Sequence, residues 1–106
     1  MPKYLWQVSY TAEGLKGVMK DGGTGRRAAV QHLTEELGGR VEVFYYTFGP
    51  DDAVVIAELP DHKAAAAVGL AVGAAGKAQI RTTVLLTPEE IDDAAKTSVD
   101  YRPPGG

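Results

Sequence analysis

Residues 40–59, RVEVFYYTFGPDDAVVIAEL, decide how the chain folds. Two runs rich in β-branched and aromatic residues, Arg40–Phe48 and Ala53–Leu59, flank Gly49-Pro50-Asp51-Asp52. Such runs favour strands, and glycine, proline and aspartate between them favour a turn. A connection this short makes the pair an antiparallel hairpin.

On each side of the hairpin lies a helix, and beyond each helix another strand. Upstream, Val30, Leu33 and Leu37 recur at helical spacing within Thr24–Leu37, and Gly38-Gly39 ends the run. Before it, Thr11 is placed to cap a short helix through Lys20 that Gly14 and Gly17 weaken. Gly22-Gly23-Thr24-Gly25 separates the two helices. Further upstream, Lys3–Thr11 alternates, with Tyr4, Trp6, Val8 and Tyr10 on one face and Lys3, Leu5, Gln7 and Ser9 on the other.

Downstream, Asp61 caps a helix that runs to about Ala75, with Ala64, Val68, Ala71, Val72 and Ala75 as its buried stripe. Gly69 and Gly73 on that helix imply close packing against the sheet. Lys77–Leu86 is the last strand. Thr87-Pro88-Glu89-Glu90 is a capping box with proline at the first helical position, opening a short helix to about Ala95. Residues 1–96 thus form one domain, and 97–106 are expected to be a flexible tail. The order βαββαβ is that of a ferredoxin-like α+β fold, with a four-stranded antiparallel sheet and helices on one face.

One face of that sheet is then bare. Strand parity assigns Leu5, Gln7, Ser9, Phe44, Tyr46, Val54, Ile56, Arg81 and Thr83 to it. A patch this apolar is rarely left in water. A second copy packed sheet to sheet would cover it around a central cavity, giving an isologous homodimer. A monomer covered by its own C-terminal segment is the alternative.

Composition narrows the chemistry. The 106 residues hold no cysteine, which excludes disulfides, thiolate catalysis and thiolate metal sites. A cytoplasmic location is expected on the same ground. A net charge of −3 and a single basic pair, Arg26-Arg27, argue against nucleic acid as a partner. No apolar run reaches the length of a membrane span, and the N-terminus lacks the layout of a signal peptide.

Candidate site residues fall in two groups. Arg26 and Arg27 lead a helix behind a glycine-rich segment, and with Lys16 they suit an anion or carboxylate. The segment is not a Walker loop, because Gly23 stands where lysine is required. Gln7, Ser9, Phe44, Tyr46 and Arg81 would line the cavity on the bare sheet face. Tyr10, Tyr45 and Tyr46 offer phenolic hydroxyls, Tyr46 foremost. His32 and His62 lie on separate helices and form no evident metal site. No nucleophile–base spacing stands out, and no cofactor is expected.

The run from Tyr4 to Gly17 resembles the opening of the GYD domain family, and so do Gly25-Arg26-Arg27-Ala28-Ala29, Leu37-Gly38-Gly39 and Phe44-Tyr45-Tyr46. The Gly49–Asp52 turn, Val54-Val55-Ile56 and Arg81 to Glu90 extend the resemblance to roughly residues 3–95. It implies a dimeric α/β barrel of ferredoxin-like subunits and no established activity. Asp51 stands where that family's turn carries tyrosine, which favours a structural role for the turn.

Two functions are compatible with these residues. One is a small-ligand-binding homodimer, extending to a cofactor-independent enzyme for a small apolar or aromatic anionic compound. The other is a non-enzymatic dimeric interaction or sensor module.

Overall fold

The computed structural model describes residues 1–106. Its elements are β1 (Lys3–Tyr10), α1 (Ala12–Asp21), α2 (Gly23–Glu36), β2 (Arg40–Tyr46), β3 (Ala53–Glu58), α3 (His62–Ala75), β4 (Ala78–Leu85) and α4 (Pro88–Lys96). The strands form one open antiparallel sheet in the order β2-β3-β1-β4, the ferredoxin-like α+β arrangement expected from the element order.

Local chemistry sets the helix ends. Thr11, Asp61 and Thr87 each accept a hydrogen bond from the backbone three residues on, and Thr87 completes its capping box with Glu90. Such caps satisfy N–H groups that a helix start leaves free. Gly22, at φ +79, separates α1 from α2 in a single residue, so the expected longer break does not occur. Gly14 is the close-packed glycine of α1, since a Cβ there would lie 2.0 Å from the Lys77 carbonyl oxygen.

Helices α2 and α3 cover one sheet face. The core holds Tyr4, Trp6, Val55, Ala57, Leu59, Ala65 and Val68, with Val30, Leu33, Phe44 and Ile80 packed against it. Two details of the expected core change. On α3 the buried positions are Ala65 and Val68, while Ala71 and Ala75 are exposed. On α2 it is Thr34 that is buried, its hydroxyl donating to the Val30 carbonyl at 2.7 Å, and Leu37, just past the helix end, is about a third exposed.

The other face of the sheet is bare. Register places Leu5, Gln7 and Ser9 of β1 on it, opposite Ile56 and Val54 of β3 and Thr83, Arg81 and Gln79 of β4. Phe44 and Tyr46 are not on it, which corrects the expectation from parity. The ladder shifts between Val41 and Val43, so Phe44 pairs with Val55 and Tyr46 with Ala53, both helix-facing. One extra residue in a strand reverses the facing of everything beyond it. Val43 and Tyr45 take the open-face positions instead.

Candidate functional site

The residues expected to share one cavity lie on opposite sides of the sheet. Gln7, Ser9 and Arg81 are on the open face. Ser9 donates to Asp51 Oδ1 at 3.1 Å, and Arg81 Nη2 donates to Asp51 Oδ2 at 2.6 Å. Asp52 accepts from the Tyr10 N–H at 2.8 Å, and its own N–H donates to the Val8 carbonyl. Both aspartates of the turn thus anchor the hairpin loop to β1 and β4, a structural role in keeping with the aspartate at position 51.

Between the sheet and the helices lies a small internal cavity of about 80 Å³. Trp6, Val8 and Phe44 line it from the sheet, and Val30, Val68 and Val72 from α2 and α3. Arg26, in the first turn of α2, is the single charged residue in its wall. Trp6 is buried, and its indole N–H has no acceptor in the protein, the one buried side-chain polar atom in that condition. An unpaired donor of this kind costs about 1–3 kcal/mol.

The cavity adjoins a more polar cleft of about 260 Å³ with which it shares Tyr10, Arg26, Val72 and Ala78. Asp21 and Lys77 are the further charged groups of that cleft. Arg26 Nη1 stands 3.8 Å from Asp21 Oδ2, beyond hydrogen-bond distance, so that ion pair is loose, and the guanidinium's other neighbour is the Tyr10 hydroxyl. Tyr10 also borders a third cleft, with Tyr46, Phe48 and Asp52.

Two tyrosines near Arg26 are tuned by this setting. Burial pushes the Tyr10 hydroxyl above its ordinary value, against the pull of Arg26. Burial and the neighbouring Tyr10 push Tyr46 up in the same direction, with Arg26 and Arg27 opposing. Both are therefore neutral proton donors at physiological pH. The Tyr46 hydroxyl donates to the Gly23 carbonyl at 3.2 Å, and its ring meets Phe44 edge-on at 5.3 Å. Chemically, the arrangement can seat an apolar body, hold an anion and donate a hydrogen bond or proton to a ligand oxygen.

The remaining candidates lie elsewhere. Lys16 is exposed on α1. Arg27 is exposed and borders a surface groove beside β2. His32 pairs with Glu36 one turn on at 2.9 Å, and His62 Nδ1 lies 2.6 Å from Tyr4 Oη. No group of three or more His, Asp or Glu side chains converges as a metal site would require.

The residues that sequence reasoning missed are Trp6, Val30, Val68 and Val72. Each reads as ordinary core, and only the void between them sets them apart. Tyr10 carries a usable signal, because it shares Trp6's parity at the end of β1 where α1 begins.

Comparison with known proteins adds one finding. No curated protein and no solved structure matches the chain. The model of the GYD domain matches residues 4–95, from the first core tyrosine to the end of α4, so the chain belongs to the GYD domain family.

Proposed function

We propose that this protein is a homodimer that binds a small, largely apolar compound in the cavity between its sheet and helices. The observation that carries this is the composition of the wall: apolar and aromatic side chains throughout, with one loosely paired arginine at the edge. Pockets that bind small molecules have this make-up, an apolar body with a few polar groups that fix orientation. Phe44 and Arg26 line it, on the helix side of the sheet, while Tyr46 borders the neighbouring cleft that shares Tyr10.

The dimer is supported separately. Leu5, Val43, Tyr45, Val54, Ile56 and Leu85 leave the open face apolar across its middle. The chain is also extended for its length. Its radius of gyration is 16.9 Å, where a compact domain of this size has about 13 Å. Every residue from Pro88 to Gly106 is exposed, including Ile91, Val99 and Tyr101. A helix as short as α4 is marginal in water without something to pack on. A second copy would supply cover for both surfaces. Catalysis would be an extension of ligand binding, with Tyr10 as proton donor and no cofactor. An interaction module is the second reading, favoured by the exposure of α4 and of Phe48. No helix is long and apolar enough to cross a membrane; the cytoplasm is the compartment we propose.

Native mass spectrometry of freshly purified protein tests both parts. A dimer mass is expected, with a small-molecule adduct that Val72→Phe removes by filling the cavity. A monomer would contradict the dimer. Absence of any adduct, with no melting shift from small apolar compounds, would contradict the cavity reading.

A further inference from the structure

The inner cavity and the outer cleft differ in character, and their shared wall defines a ligand class. We infer, on the basis of the cavity reading above, that the ligand is a short-chain monocarboxylate. Its compact apolar body fills the inner cavity, and its carboxylate takes the Arg26 guanidinium at the mouth.

Size sets the body. An apolar protein cavity of about 150 Å³ admits benzene. The inner cavity here, about 80 Å³, is roughly half that. That leaves room for an aliphatic group of about three carbons, half the bulk of a benzene ring, and not for the ring itself.

Charge sets the head group. The boundary between the two spaces is formed by Tyr10, Arg26, Val72 and Ala78, so a ligand seated in the inner cavity presents its exposed end to Arg26. The charged groups facing that end are Arg26, Lys77 and Asp21, one positive charge in excess. Asp21 is the sole acid there, 3.8 Å from Arg26 and without a direct hydrogen bond to it. The first turn of α2 carries no acidic residue, and Gly22 gives it no side-chain cap. A ligand carboxylate would give Arg26 the short, charge-assisted contact that Asp21 leaves unmade. The neutral Tyr10 hydroxyl beside it can donate to the second oxygen.

Isothermal titration of the full chain with isobutyrate and with isobutyramide, its neutral isostere, tests this. The two share a body and differ in the charge of the head. Isobutyrate is expected to bind about ten- to a hundredfold more tightly, the difference expected of hydrogen bonds to a charged group. Arg26→Gln should erase that preference and leave isobutyramide binding unchanged. Asp21→Asn should tighten isobutyrate several-fold by removing the competing carboxylate, and it keeps the test decisive should Arg26→Gln fail to fold. Equal binding of both compounds would overturn the carboxylate assignment and leave the cavity reading standing. Binding of neither would overturn both.

Discussion

At one end of the open sheet face, Glu58 accepts from Arg40 Nε at 2.7 Å and lies 3.4 Å from Lys3 Nζ. The Arg40 hydrogen bond, aided by Lys3, holds the Glu58 carboxyl below its ordinary value. A carboxylate with a depressed folded value stabilises the protein above its unfolded value, about 4.5. That contribution is lost as pH falls through the folded value. Melting temperature should therefore fall more steeply between about pH 5 and pH 3 in the wild type than in Glu58→Gln. Identical profiles would show that the pairing adds nothing. Residue chemistry of this kind was only partly legible beforehand. The parity of β1 placed Leu5, Gln7 and Ser9 correctly, because that strand is regular. Phe44 and Tyr46 were misplaced because the ladder shift at Glu42 leaves no mark in a strand apolar on both faces. The pairing of Ser9 and Arg81 with Asp51 joins β1 and β4 to the β2–β3 turn, which no local pattern encodes.

Among the elements, α1 and α3 show how similar glycines play different parts. A Cβ at Gly14 would strike the Lys77 carbonyl oxygen, which already accepts from the Thr11 N–H at 3.0 Å. At Gly69 and Gly73 a Cβ would meet nothing within 4 Å. The expected close packing of α3 through those glycines is therefore not present. Gly73→Ala and Gly69→Ala should each stabilise the protein by roughly 0.5–1 kcal/mol, through helix propensity alone. Gly14→Ala should destabilise it by about 1–3 kcal/mol or more, since backbone must move. Urea denaturation midpoints check both, and destabilisation at Gly69 or Gly73 would mean that α3 lies closer to its neighbours than the structure has it. Helix ends were the most legible feature of the sequence, because caps act over three residues. Which face of α3 is buried was less so, since nearly every residue there is small and apolar and the pattern has little contrast.

The whole molecule combines a sheet clothed on one side with a void inside that clothing. The fold followed from element order, because a hairpin flanked by two strand–helix units has few ways to close. The site did not follow, because a cavity is a property of packing between the sheet and two helices and not of any segment. Its residues, Trp6 and Val68 among them, look in sequence like the core they mostly are. The central claim is that this void receives a ligand, and the chain carries its own reporter for it: Trp6 is the single tryptophan and stands in the cavity wall. Intrinsic fluorescence measured during titration with isobutyrate is the most direct test. A saturable change in intensity or wavelength that Val72→Phe abolishes is the predicted result. A flat signal up to millimolar ligand, or an unchanged response in Val72→Phe, would contradict it.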